Sequence, residues 1–285
     1  MEYIVDKGNG LLKFLFEKMA DKSRTTVKSF LTHGQVSVNG CVSTQFNFPL
    51  QAGDRVEVTR QRQKDVFHHP MMRIVYEDEH IVVIDKRNGL LSIATDKEPQ
   101  KNAYYILSQY LKRQDARNKI FVIHRLDRET SGLMMFAKNE EVKRIMQENW
   151  LTQVLDRRYA AVVEGTMPTE EGKIETWLVE DANHKVWVSR DENGKKAVTH
   201  YSVIKAGKEY SLVDLKLDTG RKNQIRAHLE WMKCSIAGDK KYGAKSNPLG
   251  RVALHAYKLD IKHPVTGQRH VFITRIPQNF EETVK

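Results

Sequence analysis

The chain has little cysteine. Cys41 and Cys234 are the only two in 285 residues, and they stand far apart. A disulfide framework is therefore excluded, and no cysteine or histidine spacing resembles a zinc site. Such thiol usage reads as a reducing, cytoplasmic setting. Long apolar runs are also missing. None approaches the ~20 residues of a membrane-spanning helix, so no membrane partner is expected. The opening residues MEYIVDKGNG have no basic leader followed by an apolar core and do not read as a signal peptide. No internal repeat is visible. Nothing signals a coiled coil or a large dimer patch, so a monomer is the expectation.

What is present is charge, mostly of one sign. Lys and Arg number 47 against 36 Asp and Glu, a net charge of +11, with 40% apolar residues. The apolar share suits a globular protein, and the length suits one large domain plus a small one. The basic excess points to a polyanionic partner, nucleic acid being the commonest.

Patterning divides the chain into residues 1–62, a polar linker at 63–71 and a larger domain at 72–285. In the first unit, LLKFLFEKM places Leu12, Leu15, Phe16 and Met19 at helical spacing. SRTTVKSFLTHG repeats the pattern, with Ser23 or Thr25 to cap it and Gly34 to end it. QVSVNGCVST alternates around Asn39-Gly40, a strong hairpin signal. The neighbouring His68 and His69 read as exposed linker residues rather than metal ligands. In the larger domain HIVVIDK, LLSIAT, FVIHRLD, GLMMFAK and RRYAAVVEG read as strands. NEEVKRIMQENW reads as a helix capped by Asn139, THYSVIKAGKEYSLVDLKLDTG as a hairpin, and RKNQIRAHLEWM as a helix opened by Gly220. Strands and helices do not alternate regularly. The expectation is an α+β fold with a large, mainly antiparallel mixed sheet flanked by helices, preceded by a small unit of two helices and a β-ribbon.

Asp127 is the leading candidate for chemistry. In HRLDRETSGL it stands among His124, Arg125 and Arg128, where a strand ends and the chain turns. Nearby cations favour an ionised carboxylate, and such a group can attack a sugar carbon or stabilise a cationic transition state. A salt-bridged or capping turn is the more economical reading of these residues alone. Arg221, Lys222 and Arg226 gather where TGRKNQIRAHL starts a helix, a place that favours anions or simply a solvated basic face. Tyr159, after Arg157-Arg158, could be core or site. Arg24, Lys28 and His33 surround the second helix of the first unit and could meet phosphates or solvent.

Taken in order, these segments resemble the RluA-type pseudouridine synthases. HRLDRETSGLMMFAK looks like that family's signature, VYEDEHIVVIDKRNGLLSIAT like the strands preceding it, and RRYAAVVEG like the segment bearing its active-site tyrosine. GKKAVTHYSV, LKLDTGRKNQIRAHL, GDKKYG and LHAYKLDIKHPVTG match the later motifs. The likeness runs from about Met72 to the C-terminus. It departs at Lys86-Arg87-Asn88, where Lys-Pro is usual, and at Lys222-Asn223, where Thr-His is common. SRTTVKSFLTHGQVSVNG resembles the S4 RNA-binding domain. The resemblance implies isomerisation of uridine in structured RNA, large-subunit ribosomal RNA before transfer RNA, with no cofactor or metal. It makes Asp127 the catalytic acid, Tyr159 the ring that stacks on uracil and a conceivable proton acceptor, and Arg226 the cation paired with Asp127. At about 4 Å and an effective dielectric of ~20, that cation contributes on the order of 4 kcal/mol toward keeping the acid ionised. The uridine must be extruded, and Arg125 is placed to brace the vacated stack. Arg24, Lys28, Arg221 and Lys222 are the further RNA contacts. The alternatives are a non-catalytic RNA-binding or ribosome-assembly factor and a hydrolytic glycosidase. The last needs a second positioned carboxylate, and Glu129, two residues along, is expected to face elsewhere.

Overall fold

The computed structural model describes residues 1–285 except 33 and 60–66. His33 and part of the expected linker thus lie outside the described residues. The chain divides into two compact units, Met1–Val66 and Phe67–Lys285.

The first unit runs β1 (Glu2–Ile4), β2 (Asn9–Gly10), α1 (Leu11–Lys18), α2 (Arg24–Thr32), β3 (Val36–Val38), β4 (Cys41–Val42), β5 (Pro49–Leu50) and β6 (Arg55–Val58). A four-stranded sheet of order β1-β6-β3-β4 lies beside the short β2-β5 pair. Asn39 and Gly40 both take positive φ, 50° and 78°, which the tight turn joining β3 and β4 requires. Ser23 caps α2 by accepting from the Thr26 N–H, and Gly34 leaves it at φ 62°. The inward face of α1 is rotated from the expected one. Leu11, Phe14 and Leu15 are buried, while Leu12 and Phe16 are only partly covered.

The second unit contributes β7 (Met72–Glu77), β8 (Ile81–Lys86), α3 (Ala103–Gln114), β9 (Phe121–Val122), β10 (Ser131–Ala137), α4 (Glu140–Glu148), α5 (Trp150–Gln153), β11 (Val154–Glu164), β12 (Glu171–Glu180), β13 (Val186–Ser189), β14 (Lys195–Ala206), β15 (Tyr210–Leu217), α6 (Gln224–Trp231), β16 (Leu254–Lys262), β17 (Arg269–Ile273) and α7 (Gln278–Thr283). They build one 11-stranded sheet whose main path is β13-β12-β14-β15-β11-β16-β10-β8-β7. Every described pairing is antiparallel except β10 with β16. β8 and β10 read as continuous apolar runs because both faces of the sheet are covered there. Val82, Ile84, Met134 and Phe136 belong to the core cluster that holds Leu107 and Leu111 of α3; Ile81, Val83, Leu133 and Met135 belong to the one that holds Val142 and Met146 of α4.

Three expectations need correction. LLSIAT forms no strand: it makes only isolated bridges, Leu91 to Asn102 and Thr95 to Glu98, its Leu91 and Ser92 carbonyls accept from the Ala103 and Tyr104 N–H groups at the start of α3, and the Ser92 hydroxyl is committed to Leu126. The helix α3 was not anticipated. Helix α6 starts at Gln224, not at Gly220, because Asn223 sits in the left-handed region at φ 50°. The described end of the linker is also less free than its composition implies, since Phe67 packs edge-on against Tyr110 at 5.0 Å. Among the described residues no helix is long and apolar enough to cross a membrane.

The parallel contact of β10 with β16 depends on Gly132. Its φ is 114°, and a Cβ there would sit 2.1 Å from the Ala256 carbonyl oxygen. Gly132→Ala should therefore cost on the order of 3 kcal/mol in urea unfolding. A loss below about 1 kcal/mol would show that the crossing can relax.

Candidate active site

The loop between β9 and β10 carries Asp127 and is pinned on both sides. The Ser92 hydroxyl donates to the Leu126 carbonyl at 2.6 Å and accepts from the Leu126 N–H at 3.1 Å. The Gly89 N–H donates to the Arg128 carbonyl at 2.7 Å. Lys86, fully buried, donates to the carbonyls of Leu90 (2.8 Å) and Arg87 (3.1 Å) and approaches that of Arg128 at 3.4 Å. Burial draws its ammonium down to about 7, against the pull of Asp127 and Glu129. The turn itself closes through the Thr130 N–H on the Asp127 carbonyl at 3.2 Å. Ser131 and Gly132 already belong to β10.

Arg226 comes from the first turns of α6, 99 residues away in sequence. Its Nε and Nη2 donate to the two oxygens of buried Asp239 at 2.6 and 2.8 Å, the bidentate geometry that suits guanidinium best. Its plane lies over the Tyr242 ring at 4.7 Å. Nη1 is left to reach Asp127 at 3.4 Å, Glu129 at 3.4 Å and the Asn223 side-chain oxygen at 3.3 Å. Asp239, inside GDKKYG, is the site residue that sequence reasoning missed. Its only local signal was an acid next to two lysines.

This geometry corrects three expectations. Arg128 does not pair with Asp127; it binds Glu98 at 2.7 Å. Glu129 does not face elsewhere but shares Arg226. Asp127 is also not held below the ordinary carboxylate range. Burial pushes it up, Glu129 and Asp239 add to the rise, and Arg226 opposes them. One cation among three carboxylates does not fully offset desolvation.

Asp127, Tyr159 and Arg226 line a common cleft of about 870 Å³ with His124, Trp150 and Arg157. Tyr159 lies in β11, paired to Leu215 and Ala256, and its hydroxyl pKa is raised by burial. A proton-accepting role for it is therefore disfavoured, which leaves the ring as its useful part. His124 accepts from the Met135 N–H at 3.1 Å, and burial holds its pKa down to about 3. Arg125, Arg221 and Lys222 are exposed at the cleft. Lys222 is ion-paired with Glu180, so it is less available than expected. Arg221 donates to the Lys196 carbonyl at 3.0 Å. In the first unit, Arg24 and Lys28 are exposed one turn apart on α2, Arg24 lying over Phe16 at 5.4 Å.

The large mixed, mainly antiparallel sheet is the fold of the pseudouridine synthases. A solved structure, human RNA pseudouridylate synthase domain containing 4, superimposes with a TM-score of 0.60 at 26% identity, covering 74% of this chain and 90% of that one. Residues 80–231 match the family model described as RNA pseudouridylate synthase. The uncharacterized RNA pseudouridine synthase YlyB of Bacillus subtilis (strain 168) is 32% identical over 98% of this chain and 94% of its own length. Ribosomal large subunit pseudouridine synthase D of Vibrio cholerae is 30% identical over 96% and 90%. The chain belongs to the RNA pseudouridylate synthase family and is an isomerase acting on RNA.

Two stability measurements follow. Asp239→Asn leaves Arg226 buried with its charge poorly matched and should cost roughly 3–5 kcal/mol. Asp127→Asn should do the opposite. A carboxyl whose pKa rises on folding adds stability fully present below its unfolded value of about 3.9, and lost as pH climbs through the folded value. Asp127→Asn should thus melt at or above the wild-type temperature at pH 7, with the difference shrinking toward pH 4. A marked destabilisation at pH 7 would contradict the raised pKa.

Proposed function

We propose that this synthase acts on uridines in structured RNA, large-subunit ribosomal RNA foremost, through the carboxylate of Asp127. The observation that carries this reading is the Arg226–Asp127 contact at the wall of the cleft. A carboxylate that burial disfavours is a reactive one. A cation at 3.4 Å from Oδ2 keeps its ionised form accessible while leaving Oδ1 for a substrate atom. Asp127 then attacks the ribose anomeric carbon or adds to the base, and uracil is detached, turned and rejoined through carbon 5.

The uridine enters extruded from its stack, at a cost of a few kcal/mol that is least in loops and bulges. The Tyr159 ring stacks on the uracil, and exposed Arg125 braces the gap left in the RNA. Arg221, and Lys222 once released from Glu180, meet the backbone on the same side. The first unit, an S4-like module at residues 1–62, delivers RNA through Arg24 and Lys28. The enzyme works as a cytoplasmic monomer. The ribosomal preference is supported by relatives named for the large ribosomal subunit and by the S4-like pattern.

Pseudouridine mapping in total RNA from cells lacking this protein should show loss at one or a few large-subunit positions. Loss confined to transfer RNA would replace the ribosomal assignment. Asp127→Asn should restore none of the lost sites while still binding the RNA. Restoration by that variant would remove Asp127 from the chemistry.

A further inference from the structure

Arg157 stands apart from the other arginines around the cleft. It is 8% exposed, yet no carboxylate pairs with it among the described residues. Arg158, next in the chain, takes Asp156 and Asp214, and Arg226 takes Asp127, Glu129 and Asp239. The Arg157 guanidinium instead lies on the Trp150 ring at 5.0 Å, donates to the Thr219 carbonyl at 3.3 Å and faces the Tyr159 hydroxyl, whose ionisation its charge favours. Gly220 clears its path, since a Cβ there would sit 3.1 Å from an Arg157 nitrogen. A guanidinium has five N–H donors. A carbonyl and a phenol do not occupy all of them, and neither supplies a negative charge. A buried cation without a counter-charge is costly unless a ligand brings one.

The depth of Arg157 identifies the part of the ligand it meets. A nucleotide enters such a cleft base first, and its phosphates stay at the rim with the exposed Arg125 and Arg221. The covered part of the lining, buried Arg157 and Tyr159 with half-buried His124 and Trp150 beside them, therefore meets the pyrimidine. We propose that Arg157 is a catalytic residue that binds the O4 carbonyl of the flipped uracil and holds the negative charge that develops there during turnover. This rests on the reading that a uracil enters this cleft.

The charge appears at O4 by either route open to Asp127. If the carboxylate attacks the ribose carbon, the C1′–N1 bond breaks and its electron pair leaves with the base, delocalised from N1 over O2 and O4. If the carboxylate adds to C6, the C5–C6 π pair moves to form an enolate at O4, and the C1′–N1 bond then breaks with its electron pair left on N1. In both cases the C5–C1′ bond forms next, C5 gives up its proton, N1 takes one up, and Asp127 is released as carboxylate. No oxidant or further reactant is needed. A fixed donor at such an oxygen typically contributes 10²–10³ in turnover.

The test uses full-length enzyme and an RNA carrying the mapped uridine, with nucleosides quantified by chromatography. Arg157→Gln should lower kcat about 10²-fold or more while KM moves less than about 5-fold. The same RNA is then made with 4-thiouridine or 2-thiouridine at the target. Sulphur accepts hydrogen bonds poorly and carries negative charge without help, so the deficit of Arg157→Gln should shrink at least about tenfold for 4-thiouridine and persist for 2-thiouridine. A kcat within about threefold of wild type, or an equal deficit on 4-thiouridine and uridine, would overturn the assignment. Should Arg157→Gln fail to fold, the same comparison is read in Arg157→Lys, which keeps the charge. Asp127→Asn runs alongside. If it is inactive while Arg157→Gln is near normal, only the role of Arg157 falls; if it is active, the reading of the cleft falls with it.

Discussion

The site hangs on the buried bidentate pair of Arg226 and Asp239. Two of the three guanidinium nitrogens are committed to Asp239, and the plane is fixed against Tyr242. The remaining nitrogen therefore points one way, at Asp127 and Glu129. Without Asp239, Arg226 would have several rotamers and a choice of carboxylates, and its contact with Asp127 would be one among many. The side chain that reaches Asp127 is thus oriented by a different acid, and its contact with Asp127, at 3.4 Å, is the longer one.

Everything around Asp127 trades stability for that arrangement. The loop is held by polar groups: buried Ser92 on Leu126, and buried Lys86 with the exposed Gly89 N–H on Arg128, while half-buried Arg251 holds the Ser131 hydroxyl at the start of β10 at 2.8 Å. Such groups are tolerated inside only when hydrogen-bonded. Their cost is offset by the apolar layers on both faces of β8 and β10. The carboxylate itself is left short of compensation, which raises its pKa.

The fold was legible wherever one physical rule dominated. Asn39-Gly40, the Asn139 cap, the alternation in β15 and the apolar runs of β8 and β10 all gave local signals that packing reinforced. The helix α3 carried the same kind of signal, Ala103, Leu107, Tyr110 and Leu111 at helical spacing behind an Asn102 cap, and sequence reading passed over it. LLSIAT looked like a strand because of its apolar content, while its Leu91 and Ser92 carbonyls accept from the start of α3 and its Ser92 hydroxyl serves the loop that carries Asp127. Pairing in the site was less legible than its membership. Asp127, Tyr159 and Arg226 came from segment order and family likeness, and the structure brings them to one cleft. No local pattern could reveal that Asp239 takes most of Arg226, or that Arg128 turns to Glu98. Sequence neighbours exaggerated the cationic surroundings of Asp127, because three of the groups that set its ionisation, Glu129, Asp239 and the apolar matter that excludes water, act only after folding.

The most direct measurement is single-turnover pseudouridine formation against pH, for the wild-type enzyme and for Arg226→Gln, on one mapped uridine. On the proposed reading Asp127 acts as a carboxylate, so the rate should fall as pH drops through its folded-state value. The acid limb should therefore lie above the ordinary carboxylate value of about 3.9. Removing the only cation in contact with Asp127 among the described residues should move that limb to still higher pH and lower the plateau. An acid limb at or below about 3.9 in the wild type, or one that Arg226→Gln leaves in place, would contradict the account of a desolvated carboxylate held ready by Arg226.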